Sequence, residues 1–263
     1  MVYDMNSVNK TLYIPLYGKA YVSQKGIILK DKKAEDIWKK QGFELKRKSK
    51  SKYLAYFMAM RSCVFDNWIK EEIQKSDDSV VLHIGCGLDS RCMRVPCDKL
   101  WYDIDFDSVI KERTCYFKET DSYHMIGADV RTCDWIHSIE KKEHAVVVME
   151  GVSMYMSNDE LKGLFCLLNH YFKKVSVLMD CYSVFGAKMS RYKNPINEVG
   201  VRDVYGLDEP ECLDITGIKY VRSYLLTPDN LIDELKGVEK IIFKKLYAGN
   251  TAKKIYKLYE LRS

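Results

Sequence analysis

From residue 80 onward, short runs of apolar residues alternate with stretches whose apolar positions recur every three or four residues. The runs cover residues 80–84, 100–104, 124–126, 145–149 and 175–179. They are nearly continuous in apolar side chains, which predicts strands of a parallel sheet covered on both faces. After the fourth run, Ser157 stands three residues before Glu160, a capping box, and Leu161, Leu164, Phe165, Leu168 and Phe172 line one helix face. Residues 1–78 have a different pattern. Residues 34–40 and 53–74 predict helices, the second with Leu54, Phe57, Met58, Val64, Phe65, Trp68 and Ile69 on its apolar side, and Asp77-Asp78-Ser79 ends that segment. Residues 182–224 are richer in Gly, Pro and polar side chains, and predict an insertion over the sheet. Thr227 and Pro228 open a further helix that Gly237 closes. Residues 238–247 and 252–261 predict a terminal antiparallel hairpin around Ala248-Gly249-Asn250-Thr251. Repeated strand–helix units give an α/β, doubly wound, mostly parallel sheet.

The 263 residues suit one such domain, with residues 1–78 as a helical N-terminal cap and 182–224 as the insertion. A composition 47% hydrophobic and 30% charged is that of an ordinary soluble globular protein. The nine cysteines are odd in number and form no CxxC pair, which disfavours both a disulfide framework and a zinc site. Reduced thiols fit a cytoplasmic location. The first residues lack the pattern of a signal peptide, and no apolar run reaches the length of a membrane span. The net charge of +5 is spread along the chain. One basic cluster, Lys46-Arg47-Lys48-Ser49-Lys50-Ser51-Lys52, fits a solvated loop better than a nucleic-acid contact.

The first strand ends in Gly85-Cys86-Gly87. Two glycines so spaced allow a sharp turn and a close ligand approach. Ser90 stands at the third position of the dinucleotide fingerprint, which disfavours a nicotinamide oxidoreductase. Asp105 ends the second strand, 20 residues after Gly85. A carboxylate there can accept both hydroxyls of a ribose, so the pair indicates an adenosine ligand without fixing the reaction. Asp103 is the less well-placed alternative. Asp129 follows the third strand, where an acidic side chain either meets an adenine amino group or caps a helix. Glu150 ends the fourth strand, and a carboxylate at an apolar strand tip needs a partner. No Asn/Asp-Pro-Pro-Tyr element follows, which disfavours methylation of a base amino group, and Pro96-Cys97 is structural.

Four ordered motifs together resemble the leucine carboxyl methyltransferase family. They are Val81-Leu82-His83-Ile84-Gly85-Cys86-Gly87-Leu88-Asp89-Ser90-Arg91, Trp101-Tyr102-Asp103-Ile104-Asp105, Ala128-Asp129-Val130-Arg131-Thr132-Cys133-Asp134-Trp135 and Glu150-Gly151-Val152-Ser153-Met154-Tyr155-Met156. The N-terminal stretch from Lys10 to Ala20 is similar to the branch that contains a tetracenomycin polyketide O-methyltransferase. The resemblance implies a Rossmann-like class I methyltransferase fold of seven strands with a terminal antiparallel hairpin. It implies S-adenosyl-L-methionine as cofactor and an oxygen, usually of a carboxylate, as acceptor. Gly85 would lie against the cofactor's methionine part, Asp105 would bind its ribose, Asp129 and Val130 its adenine, and Glu150 its α-ammonium. Arg61 matches the arginine that pairs with the cofactor carboxylate, and Lys19 a basic residue near the same group. Lys19 stands where this branch often has arginine, and Cys86 and Cys92 replace the usual neighbours. Residues 182–213 match poorly, so the acceptor is open: a small molecule or a peptide.

An ionised carboxylate needs no general base at pH 7, which fits a chain with no obvious catalytic histidine. His83 and His144 suit core or strand-edge positions. Arg191, Tyr192 and Arg202 are the candidates to orient the acceptor. The competing readings are a homologue that binds the cofactor without catalysis, and a nucleic-acid methyltransferase.

Overall fold

The computed structural model describes residues 10–193, 197 and 203–263. Seven strands form one sheet: β1 Ser79–Ile84, β2 Leu100–Asp105, β3 Tyr123–Gly127, β4 His144–Met149, β5 Lys174–Tyr182, β6 Lys219–Ser223 and β7 Tyr256–Arg262. Their order is β3-β2-β1-β4-β5-β7-β6. The first five are parallel, and β7 runs antiparallel between β5 and β6.

Four of the five apolar runs are buried on both faces, as their continuity requires, while that of edge strand β3 is only half-buried. Leu82, Ile84, Ile104, Val147, Met149 and Val177 face one core with Leu164, Phe165 and Leu168. Val81, Val146, Val148, Leu178 and Leu258 face the other with Phe65, Trp68 and Ile69. The first core is covered by the capped helix Asn158–Tyr171 and the second by the long helix Lys52–Glu72. In chain order the main helices are α1 Tyr13–Lys25, α2 Lys32–Lys40, α3 Lys52–Glu72, α4 Asp107–Arg113, α5 Asn158–Tyr171, α6 Val184–Lys193, α7 Gly237–Tyr247 and α8 Asn250–Ile255. Among the described residues, no helix is long and apolar enough to cross a membrane.

The C-terminal region departs from the sequence-based expectation. Residues 238–247 are not a strand but helix α7, and residues 250–255 are helical as well. The antiparallel partner of β7 is β6, which lies inside the stretch expected to be an insertion. The reason is local. On α7 a single side chain, Phe243, is fully buried, while Val238, Ile241 and Leu246 stay exposed, so the apolar density that suggested a strand is not a sheet face. Glu239 pins the helix to α3 by accepting from Lys52 Nζ at 2.6 Å and Tyr56 OH at 2.8 Å. β6 is an edge strand with mostly exposed side chains and carries little apolar signal. Pro228 caps only the one-turn helix Asp229–Ile232, and Gly237 begins α7 where it was expected to close the preceding helix.

Register places the functional end. Ile84 pairs with Ile104 on one side and Met149 on the other, and Asp105 pairs with Gly127. The tips of β1, β2, β3 and β4 are therefore level, and the strand order reverses between β2 and β4 across β1. A crevice at that carboxyl edge is where open α/β sheets bind ligands.

Candidate functional site

One cavity of about 880 Å³ opens over this edge, lined from α1, α3, the tips of β1, β2 and β4, the loop after β3, and the C-terminal helices. Lys19, Arg61, Gly85, Asp105, Asp129, Val130 and Glu150 all line it. The sequence-selected residues, scattered from position 19 to 150, are thus brought to one cavity.

The glycine turn is dictated by backbone conformation. Gly85 and Gly87 have φ of +68° and +51°, where side chains are disfavoured. A Cβ on Gly85 would also lie 2.0 Å from Val152 Cγ2. The turn is tied to the second strand: Gly87 N–H donates to Asp105 Oδ2 at 2.8 Å, and Phe106 N–H donates to Asp105 Oδ1 at 2.8 Å. Each carboxylate oxygen retains a lone pair after these bonds, so Asp105 keeps capacity for two further donors. Burial pushes this carboxyl up to about 6, against the pull of the two N–H groups and Arg113.

Asp103 is the other member of the pair and has a different place. It is fully buried and accepts from Trp101 Nε1 at 2.9 Å, Tyr123 OH at 2.7 Å and Arg113, and pairs with His83 Nδ1 at 3.0 Å. Arg113 also donates to Gly87 O at 2.9 Å, so this hub braces the glycine turn from behind. His83 Nε2 meets Arg91 NH1 at 3.0 Å. Burial, helped by Arg91 beside Nε2, outweighs the opposing pull of the Asp103 carboxylate and lowers the His83 pKa.

The charged end of the cavity is a network. Glu150 accepts from Arg61 Nε at 3.0 Å, from Ser62 Oγ at 2.9 Å and from Arg91 NH2. Burial alone would raise this carboxyl, but Arg91, Arg61 and Lys19 outweigh it and hold Glu150 at about 2. Lys19, only 2% exposed, pairs with Asp89 at 2.9 Å. Asp89 also meets Arg94 at 2.7 Å and Arg91 at 3.3 Å. Arg61 NH1 donates to Asp180 Oδ2 at 2.8 Å. A buried charge alone is costly, and here each one has an opposite partner.

Asp129 and Val130 lie at the other rim, half-buried. Arg131 Nε donates to Asp129 Oδ1 at 2.8 Å, and this contact holds the carboxyl below its ordinary range. The wall farther from the glycine turn is apolar and aromatic, with Leu54, Phe57, Tyr182, Tyr247, Tyr256 and Leu246. Phe57 packs against Tyr247 at 5.5 Å, and Tyr182 meets Tyr256 edge-on at 4.7 Å.

Of the acceptor candidates, Arg202 and the side chain of Arg191 lie outside the described residues. Tyr192 is 80% exposed and does not line the cavity; Met189 and Ser190 of the same helix do. Sequence reasoning missed Asp89, Arg91, Asp180 and Tyr256. Asp180 carried the signal that singled out Glu150, a carboxylate in an apolar strand, and Asp89 and Arg91 directly follow the glycine turn.

Comparison with known proteins settles the family. Residues 8–168 match the family described as leucine carboxyl methyltransferase. The chain belongs to that family. Its membership makes the chain an S-adenosylmethionine-dependent methyltransferase. Among curated relatives, the tetracenomycin polyketide synthesis O-methyltransferase TcmP of Streptomyces glaucescens is 26% identical over 90% of this chain and 89% of its own. The S-adenosyl-L-methionine-dependent methyltransferase dpfgK of Gibberella zeae is 22% identical over 82% of this chain and 81% of its own. The fold is also that of the magnesium protoporphyrin IX methyltransferase ChlM from Synechocystis PCC 6803, solved with bound SAH. The TM-score is 0.50 at 10% identity, over 88% of this chain and 94% of that one. The strand order of this chain is that of the class I methyltransferase architecture.

Proposed function

We propose that this methyltransferase acts on oxygen, and that the acceptor is a carboxylate of a small molecule or peptide. One observation carries the reading: apart from Asp105, the charged side chains and the histidine described along the cavity are already engaged. Lys19, Arg61, Asp89, Asp129, Arg131 and Glu150 are ion-paired, and His83 is held on both nitrogens. Asp105 keeps open lone pairs, but it stands at the glycine turn, the end suited to a ribose. An acceptor that must lose a proton finds no convincing base. A carboxylate arrives ionised and needs none.

The residues fit the cofactor by the chemistry of their donor set. Asp105 is acceptor-only and suits a diol. Glu150 beside Arg61 and Lys19 offers both signs of charge to a zwitterionic amino-acid end. We assign the α-ammonium to Glu150, the carboxylate to Arg61 and Lys19, the adenine to Asp129 and Val130, and the methionine stem to the Gly85 turn. S-adenosylmethionine supplies a methyl already activated on a sulfonium. The protein's task is then positioning, in which the charged network and the aromatic wall hold two reactants in line and exclude water.

Two measurements test this. Calorimetric titration with S-adenosylhomocysteine is expected to give micromolar binding that Asp105→Ala and Glu150→Ala each remove. Methyl transfer is then followed from labelled cofactor to a panel of carboxylic acids and matched phenols. Label that alkali releases as methanol marks methyl esters and supports a carboxylate acceptor. Alkali-stable label on the phenols alone overturns it and leaves a different O-methyltransferase.

A further inference from the structure

Arg61 is gripped more completely than an ion pair requires. Its Nε donates to Glu150 Oε1 at 3.0 Å. Its NH1 donates to Asp180 Oδ2 at 2.8 Å and to the Tyr256 hydroxyl at 3.2 Å. Tyr256 OH in turn donates to the same Asp180 oxygen at 2.9 Å, which closes a triangle of three buried groups. The other Asp180 oxygen accepts from Gly151 N–H at 2.7 Å, on the turn that follows Glu150. A guanidinium is a rigid planar fork, so fixing two of its nitrogens fixes the direction of the third. That third nitrogen, NH2, lies beside Gly151, a residue of the cavity wall: a Cβ built there would be 3.6 Å from it. Among the described residues NH2 makes no hydrogen bond.

Tyr256 also belongs to the opposite wall. It is the first residue of β7, paired in register with Tyr182 of β5. Its ring meets Tyr182 at 4.7 Å and Phe57 at 6.1 Å, both edge-on. One side chain therefore contributes its ring to the aromatic wall and its hydroxyl to the grip on Arg61.

We propose that Asp180 and Tyr256 are positioning residues that aim the free edge of Arg61 at the carboxylate of the cofactor, and so tie the aromatic wall to the cofactor's amino-acid end. The proposal rests on the cofactor placement given above. It assigns neither residue a contact with the reacting atoms. Both act through Arg61, and their influence is confined to ligands that carry the carboxylate.

That confinement is testable without knowing the acceptor. S-adenosylhomocysteine carries the amino-acid end, and 5′-methylthioadenosine lacks it. Both are titrated calorimetrically into the wild type, Tyr256→Phe and Asp180→Asn. Tyr256→Phe keeps the ring and removes only the hydroxyl. It is expected to weaken S-adenosylhomocysteine about fivefold, the size of an ordinary hydrogen bond, and Asp180→Asn about tenfold or more, approaching that of a hydrogen bond to a charged group. Binding of 5′-methylthioadenosine stays within about twofold, because an effect routed through Arg61 does not reach it. In an Arg61→Met background, Tyr256→Phe adds nothing further. Equal losses for both ligands would reveal a merely structural role and overturn the proposal, as would no loss for either. If Asp180→Asn fails to fold, Tyr256→Phe decides alone. A wild type that binds neither ligand removes the cofactor placement itself, a result distinct from either of these.

Discussion

Asp105 and Glu150 are both carboxylates at strand tips of one cavity, yet their acidities move in opposite directions. Burial raises Asp105 to about 6, because only backbone N–H groups and a more distant Arg113 oppose it. Burial also acts on Glu150, but Arg91, Arg61 and Lys19 reverse it and hold the group at about 2. The environment, not the residue type, decides the sign. The signs carry into stability. Asp105 is raised in the folded chain, so its contribution is present below the ordinary value of 3.8 and is lost as pH rises through about 6. Glu150 is depressed, so its contribution is present above 4.5 and is lost as pH falls toward 2. Cofactor affinity is expected to run opposite to the Asp105 stability trend, since a diol needs the ionised carboxylate. S-adenosylhomocysteine should bind roughly tenfold more weakly at pH 5 than at pH 7.5, one unit of pH below the pKa being worth about tenfold. Titrations at the two pH values check this, and in Asp105→Asn the difference should vanish. A wild type insensitive to pH over this range would show that another group holds the ribose. The place of Asp105 at the cavity was legible in the sequence because its spacing from Gly85 follows one strand–helix unit. The role of Asp103 was not, because Trp101, His83, Arg113 and Tyr123 reach it from β2, β1, α4 and β3.

At the scale of elements, legibility followed how local the determining contacts are. Helix α5 was visible because its start is encoded within four residues: Glu160 N–H donates to Ser157 Oγ at 3.2 Å, and Ser157 N–H to Glu160 Oε2 at 2.6 Å. The box lies beside the cavity without lining it. Ser157→Ala is therefore expected to cost about 1 kcal/mol, a fall in Tm of roughly 2–4 °C for a chain of this size. Thermal unfolding measures that loss, and an unchanged affinity for S-adenosylhomocysteine shows that it is confined to the helix. The β6–β7 pair was misassigned for the converse reason. Its strands are separated by the one-turn helix Asp229–Ile232, α7 and α8, and edge strand β6 buries too little to show an apolar face. The sequence pattern made α7 the nearer partner, whereas α7 is a helix that packs on α3 through Phe243 and Glu239.

At the scale of the whole molecule, the cavity is shared among parts that are distant in sequence. The glycine turn and the tips of β1, β2 and β4 form one end, α1 and α3 supply Lys19 and Arg61, and α7, α8 and β7 close the aromatic end. No pattern within a single segment states the volume of about 880 Å³, because each segment contributes only one wall. A ligand seated there touches the N-terminal helices and the sheet at once, so it binds the folded chain and not the unfolded one. Mass action then fixes the size of the effect. At a free concentration about a hundred times Kd, S-adenosylhomocysteine should stabilise the fold by about 2.7 kcal/mol, which raises Tm by roughly 5–10 °C. Asp105→Ala, at the same ligand concentration, should lose most of that rise while its unliganded transition stays cooperative. A rise retained in full by the variant would place the ligand away from the tip of β2. A rise absent from both proteins would mean that the charged network does not recognise the cofactor's amino-acid end, and with it the assignments of Glu150, Arg61 and Lys19 would fall together.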